Sequence, residues 1–391
     1  MRLFKSLLPS ILLIALAIYA HRNYALLDGS LLSALYYLPL LLILLVGLIC
    51  VHFNQARLLL LVLIVSSSYL AFEYSWFDTM LKYNIGILTV SLIMILTVII
   101  REQGVFSARA LPLYILILMF VISSLWLVRE QPQWALTVIN KQWLPTQYFD
   151  WTELTQSSLM VMLFAFIVMF SQVLLTQDHK SVTAIMVFIT IIIIFQNTLE
   201  KADLMIVITA ALLLCLFAVL QESWRMAYLD ELTQLPGRRA MREKLQSLVG
   251  VYTLAMVDVD FFKKFNDKYG HDTGDDVLRM IAAQLQKVSG GGVSYRYGGE
   301  EFTVVFANKS TEQAEEHLEK LRENIANTAF IVNRRTGKSQ STAHKKNKVT
   351  ITVSIGVCDS IEINHSDDVL KKADTALYKA KKKGRNCVVS F

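Results

Sequence analysis

The stretch MVDVDFFKKFNDKYGHDTGDDVL (residues 256–278), followed by YRYGGEEF (295–302), decides how this chain is read. Tyr252 to Val257 is a short apolar run that reads as a strand ending at Asp258. A helix is expected over Phe261–Tyr269 and another from Thr273 to about Lys287. Val293–Tyr297 and Phe302–Phe306 read as the two arms of a hairpin around Gly298-Gly299-Glu300-Glu301. Glycines there permit φ > 0 and let another molecule approach the backbone. Asp258 and Asp260 therefore mark a strand end, and Glu300 and Glu301 a tight turn. If the two strands are neighbours, these carboxylates converge on one spot. An all-oxygen site of that kind suits a hard cation such as Mg²⁺, with phosphate oxygens completing the shell. Taken singly, each acidic point reads equally well as a solvated turn.

Outward from this stretch, helices and strands alternate. Arg238–Leu248 reads as a helix. Thr311–Asn327 is amphipathic, with Ala314, Leu318, Leu321 and Ile325 on one face. Val349, Ile351, Val353, Ile355 and Val357 alternate with small polar residues, the pattern of a half-buried strand. Asp367–Lys383 is expected as the last helix and Cys387–Val389 as the last strand. Hairpins mixed among helices indicate an α+β domain over residues 230–391, with a mixed or antiparallel sheet flanked by helices.

The remainder of the chain is of another kind. Residues 1–220 carry 11 Lys and Arg and 10 Asp and Glu, against 27 and 22 in the rest. Apolar runs recur near 4–20, 31–53, 57–73, 83–100, 110–128, 156–176, 181–197 and 203–221. Most approach the ~20 residues that a helix needs to cross ~30 Å of hydrocarbon. Residues 1–221 are thus expected to form an all-α membrane bundle of about eight spans, the first of them a retained helix rather than a cleaved signal. Basic residues between the spans divide almost evenly, so loop charge does not orient the bundle. The loop near 129–155 holds Trp134, Trp143, Tyr148, Phe149 and Trp151, which reads as an aromatic belt at the lipid interface, or as a sensing surface. The spans hold almost no ionisable residue near their centres, which argues against a transporter. Residues 222–229 carry no Pro or Gly and are expected to continue the last span as a connecting helix. The four cysteines, Cys50, Cys215, Cys358 and Cys387, form no CxxC pair and read as buried reduced thiols. The segment Arg334–Lys348 is long and basic and reads as a solvated loop, or as a contact with anionic lipid.

Five ordered motifs carry a resemblance: DELTQLPGRR (230–239), the two stretches quoted first, TVSIGV (352–357) and ADTALYKAKKKGRN (373–386). Together they closely resemble the GGDEF-domain diguanylate cyclases, over about residues 228–391. The resemblance implies a nucleotide-cyclase or polymerase-palm-like fold that condenses two GTP into cyclic di-GMP with release of pyrophosphate. It implies that Asp258, Glu300 and the backbone carbonyl of Val259 hold two Mg²⁺ ions, Mn²⁺ being the alternative, with Glu301 as a further contributor. Glu300 is also implied as acceptor of the ribose 3′-hydroxyl proton. Asn266 and Asp275 match the guanine-reading positions, and His271 between them either lines the same pocket or supports its loop. Phe261, Phe262 and Lys263 match the position that cradles the β- and γ-phosphates, and Lys381 and Arg385 the basic pair that contacts phosphate.

Because each domain would hold one GTP, a two-fold homodimer is implied, with no nucleic-acid partner and the cyclase domain on the cytoplasmic side of a bacterial inner membrane. Many relatives carry Arg-x-x-Asp just before the signature as an inhibitory product site. Here Ser289 and Gly292 stand at those positions, so that site is expected to be absent. The competing reading is a domain of the same family that has lost catalysis and only binds or signals. The presence of Asp258, Lys263, Asn266, Asp275 and Glu300 argues against it.

Overall fold

The computed structural model describes residues 11–13, 15, 16, 19, 29–73, 80–100, 102–176, 178–196, 201–332, 347–363 and 365–391. Most of the span expected at 4–20 and nearly all of the basic segment 334–348 lie outside these. The chain divides into two compact units, Met1–Ser223 and Trp224–Phe391.

Among its described residues the first unit is built of helices joined by turns and loops: α1 (Gly29–His52), α2 (Ala56–Glu73), α3 (Met80–Ile99), α4 (Leu111–Glu130), the short α5 (Gln133–Ile139), α6 (Gln156–Thr176), α7 (His179–Gln196) and α8 (Lys201–Tyr228), whose last residues belong to the second unit. Four of these contain segments long and apolar enough to cross a membrane, namely Leu81–Ile99, Leu111–Glu130, Gln156–Thr176 and Asp203–Tyr228. Their outward faces are apolar, as Leu118, Ile122, Leu163 and Ile167 show, each more than half exposed. Inward packing comes from Val46, Leu58, Ile87, Met94, Phe188 and Ile208, all fully buried. Charge gathers away from this core. The Lys180 ammonium reaches Gln55 Oε1 at 2.6 Å, Glu102 Oε2 at 3.0 Å and Glu222 Oε1 at 3.3 Å. A buried ammonium needs such partners, because stripping its water costs several kcal/mol. Between α4 and α6, Trp134 on α5 and Trp143, Tyr148 and Trp151 beyond it are all exposed.

The second unit is built on a mixed five-stranded sheet of order β2-β3-β1-β6-β7. Its strands are β1 (Tyr252–Val259), β2 (Val293–Gly298), β3 (Glu301–Ala307), β6 (Val353–Asp359) and β7 (Val388–Ser390). All neighbours are antiparallel except β6 and β7. Helices cover both faces. On one face α10 (Phe262–Tyr269), α11 (His271–Leu285) and α12 (Thr311–Asn327) pack on Ala255, Val257, Phe302 and Val304. On the other, α9 (Arg238–Gln246) and α13 (Ser366–Lys382) pack on Leu254, Met256, Val305 and Cys358.

Two expectations need correction. The alternating run 349–357 is not one strand. It breaks at Ile351-Thr352 into β5 (Asn347–Thr350), which pairs with a strand the sequence did not reveal, β4 (Ala329–Val332), in a separate two-stranded sheet. The remainder, β6, is not half-buried, since Val353–Cys358 is buried throughout. Its alternating small residues face a second helical layer rather than water. Gly356 shows why: a Cβ there would lie 2.0 Å from the Leu377 backbone nitrogen and 2.2 Å from the Ala373 carbonyl. Only glycine lets α13 lie directly on the sheet, and this close seating carries the helix towards Asp258. Cys387 is half-exposed, whereas the other three thiols are buried.

Candidate active site

β1 and β3 are neighbours, and their register places Asp258 opposite Glu301. Directly opposed residues project from the same face of the sheet. That is the face carrying α13, where Ala373, Leu377 and Lys381 form one stripe at four-residue spacing. The Lys381 Nζ meets Asp258 Oδ2 at 2.8 Å. Arg385, just beyond the helix, lies over the Phe261 ring with its guanidinium carbon 4.3 Å from the centroid, and its charge also acts on Asp258.

The three carboxyls are held where ionisation is resisted. Burial pushes Asp258 up, and the hydrogen bond and charge of Lys381 offset only part of that. Burial raises Glu300, reinforced by the charge of Asp258. It raises Glu301 too, with Asp258 and Asp374 adding to the effect. Mutual repulsion of this kind is relieved by a cation between the groups. Lys381 is the cation in direct contact with Asp258, with Arg385 acting on Asp258 and Arg238 on Glu301. Among the described residues no three His, Cys, Asp or Glu side chains close round a common point. The carboxylates of Asp258, Glu300 and Glu301 are hard oxygen donors, which fit an ion that completes its shell with phosphate, water or backbone oxygens, the habit of Mg²⁺.

Asp260, assigned no metal role by the sequence reading, adds its charge at Asp258 but has its own carboxylate tied elsewhere. Its Oδ1 accepts from Ser354 Oγ at 2.7 Å, and its Oδ2 from Thr352 Oγ1 at 2.7 Å and the Asn386 N–H at 3.1 Å.

Phe261 sits in the left-handed region (φ 57°) as the residue before α10, and Phe262 is buried beneath it. Lys263 is exposed on the first turn. His271 and Asp275 line one cleft of about 840 Å³, together with Tyr269, Arg279 and Val332. Asn266 is not on that lining. Its Oδ1 is buried without a hydrogen-bond partner, beside Gly274, where any Cβ would come within 1.9 Å of it. An orphaned buried acceptor beside an open cleft fits a ligand that brings N–H donors.

Sequence reasoning assigned no role to Arg296. Its Nη1 donates to Asp230 Oδ1 at 2.6 Å, and its Nη2 to the Gly299 carbonyl at 2.8 Å. Asp230 Oδ1 also accepts from the N–H and hydroxyl of Thr233. The turn that presents Glu300 is therefore braced by the segment preceding α9. The signal was available, in that both residues fall within motifs that drew attention, but their pairing across 66 positions is not legible from spacing.

Residues 227–387 match the family described as diguanylate cyclase, GGDEF domain. Similar curated proteins include the response regulator PleD of Caulobacter vibrioides, 38% identical over 179 residues, which are 44% of this chain and 37% of that protein. Diguanylate cyclase VdcA of Vibrio cholerae is 38% identical over 167 residues, 42% of this chain and 47% of that protein. The chain thus spans less than half the length of these relatives. Among solved structures, the coiled coil and GGDEF domain of DgcB from Caulobacter crescentus in complex with c-di-GMP is 30% identical, covering 45% of this chain and 92% of that one with a TM-score of 0.40. The matched residues lie within the second unit and are similar to the GGDEF domain.

Proposed function

We propose that the chain is a membrane-anchored diguanylate cyclase that condenses two GTP into cyclic di-GMP and two pyrophosphate. The observation that carries this reading is the juxtaposition of Asp258 and Glu301 across β1 and β3, with Glu300 at the turn and Lys381 against Asp258. The GGDEF match over 227–387 and the VdcA likeness support it.

Asp258, Glu300 and the Val259 carbonyl would hold two Mg²⁺ ions, with Glu301 beside them. Divalent metal supplies charge stabilisation on the attacking and leaving oxygens of an in-line phosphoryl transfer. The protein's own groups do the rest. Glu300 takes the proton from the 3′-hydroxyl of one GTP, and that oxygen bonds to the α-phosphorus of the other as pyrophosphate leaves. Lys263, Lys381 and Arg385 hold phosphate charge. Asp275 accepts from guanine N1–H and its amino group, with Asn266 and His271 at the same base. Two domains must face each other with antiparallel substrates, so the working species is a two-fold homodimer. The first unit, with about eight spans in the inner membrane, anchors the domain on the cytoplasmic side and regulates it. Residues 1–221 serve as this anchor, 222–229 as the connection and 230–391 as the cyclase domain. Purified chain in lipid nanodiscs, given GTP and Mg²⁺, should release pyrophosphate and a cyclic dinucleotide. Binding of GTP without turnover would instead favour a signalling module.

Asp275→Ala should reduce the preference for GTP over ATP roughly a hundredfold, because a site built to pair a polar edge discriminates strongly only while the pairing group is present. Competition of each nucleotide with a fluorescent GTP analogue measures this. Unchanged selectivity would make Asp275 a structural residue.

Tight product inhibition from outside the active site should be absent. Ser289 Oγ is paired with His317 Nδ1 at 3.0 Å, and a Cβ at position 292 would meet the Phe306 ring at 2.7 Å. An aspartate therefore has no room there. Calorimetric titration with cyclic di-GMP should show no high-affinity binding beyond the active site.

A further inference from the structure

Asp260 follows the metal-site strand by one residue and is 8% exposed; its charge acts on Asp258, but both its carboxylate oxygens are already engaged elsewhere. Every partner it has ties down something else. Thr352 immediately precedes β6 and Ser354 lies at its start, and the backbone N–H of Asn386 belongs to the loop between α13 and β7. The Asp260 N–H completes the joint by donating to the Thr352 carbonyl at 2.9 Å.

That loop is one that the chain would not hold unaided. Gly384, Arg385 and Asn386 have φ of 120°, 67° and 46°, three consecutive residues in a region that L side chains rarely adopt. Three contacts keep it there: Asn386 N–H on Asp260, Asn386 Oδ1 accepting from Arg322 Nη1 at 2.9 Å, and Arg385 N–H on the Ala380 carbonyl at 3.1 Å. The residue so fixed in the middle is Arg385, stacked on Phe261. Asp260 thus joins the strand that bears Asp258 to the loop that bears Arg385.

We propose that Asp260 is a positioning residue, neither metal ligand nor proton acceptor, whose buried carboxylate sets Arg385 against the phosphates of bound GTP. The inference rests on the cyclase reading for the identity of that ligand, but its structural half does not. The geometry makes a discriminating demand. An asparagine at this position can still accept from Thr352 and the Asn386 N–H with its oxygen, while its amide donates to a rotated Ser354 hydroxyl. A metal ligand or general base would lose its function on the same change.

The test uses the full chain in nanodiscs carrying Asp260→Asn, Asp260→Ala, Asp258→Asn, Arg385→Ala and the double variant Asp260→Ala with Arg385→Ala. Two quantities are measured: binding of α,β-methylene GTP with Mg²⁺, and amide hydrogen exchange across residues 384–387. Asp260→Ala should weaken the analogue roughly tenfold, since displacing a positioned group by about an ångström costs up to about a hundredfold. It should also speed exchange at the Asn386 amide. Asp260→Asn should bind within about threefold of the unaltered protein, unlike Asp258→Asn, and the double variant should be no weaker than Arg385→Ala alone, as expected for residues acting through one contact. The Asp260→Asn comparison stands even if Asp260→Ala fails to fold. The proposal is overturned if Asp260→Asn loses binding as Asp258→Asn does, if the two losses add in the double variant, or if exchange at Asn386 is untouched by Asp260→Ala. Failure of the unaltered protein to bind the analogue would instead remove the cyclase reading, while the exchange result still judges the positioning of the loop.

Discussion

Replacing Glu300 by Gln should lower cyclic di-GMP formation by at least about a thousandfold, about 4 kcal/mol in barrier height, with the fold intact. The amide keeps the volume of the side chain at the turn. It loses the negative charge that a divalent ion requires and the lone-pair basicity that takes the 3′-hydroxyl proton. The two losses fall on one residue, which is why this substitution should exceed any at the base or phosphate contacts. The turn itself should persist, because it is braced by Arg296 through the Gly299 carbonyl and not by Glu300. Pyrophosphate release and chromatographic detection of product measure the effect, with a thermal melt confirming the fold. Turnover within tenfold of the unaltered protein would sink the assignment. The rate of the unaltered protein should also carry the mark of a raised carboxyl. Burial and the charge of Asp258 lift Glu300, so proton competition should begin at a higher pH than for an ordinary glutamate. Activity is lost as pH falls and Glu300 gains its proton, and returns as pH rises; bound Mg²⁺ opposes the lift, so this acid loss should move to lower pH as Mg²⁺ is raised.

Much of this site was legible because it is local. Asp258 at a strand end and the Gly298-Gly299-Glu300-Glu301 turn are set by short runs of apolar residues and glycines, and the structure pairs their strands directly. The bounds of α12 follow from an unbroken apolar stripe, and the structure places it at Thr311–Asn327. What escaped was set by distant partners. Ile351 continues the alternation of its neighbours, so nothing local announces that the strand breaks there to form a second sheet with Ala329–Val332. Asp260 has the same local pattern as Asp258, and only the placement of Thr352, Ser354 and Asn386 gives it different partners. Arg296 and Asp230 each look like solvated charges until the fold brings them to 2.6 Å. Hydropathy likewise marks apolar segments in the first unit but not how they pack, since that depends on small differences between faces that are all apolar.

The isolated segment 222–391 should be mostly monomeric, with low activity that rises with concentration. Catalysis as proposed needs two domains face to face, yet the described residues of this part of the chain offer no persuasive seam for pairing. Residues 221–229 are too short for the three or four heptads of a stable coiled coil. The large apolar residues exposed among the described residues of the second unit are spread over separate elements, among them Trp224 and Met226 at the end of α8, Tyr378 on α13, and Val249, Val293, Ile331 and Ile361 in loops and strands. Pairing is therefore assigned to the membrane unit. Tethering two domains to a dimeric anchor raises their effective concentration to roughly millimolar without any new contact between them. Against a micromolar solution of free domains, that is a gain of up to about a thousandfold in paired species when pairing is weak. A dimeric coiled coil fused in place of residues 1–221 should recover most of this gain at equal protein concentration, because the tether rather than its chemistry supplies the effect. The measurement is specific activity against concentration for the isolated segment and the fusion, with light scattering to follow mass. A specific activity for the isolated segment that is high and flat down to nanomolar concentration would show that the domain pairs by itself, and the membrane unit would then act on the geometry of the pair rather than on its formation.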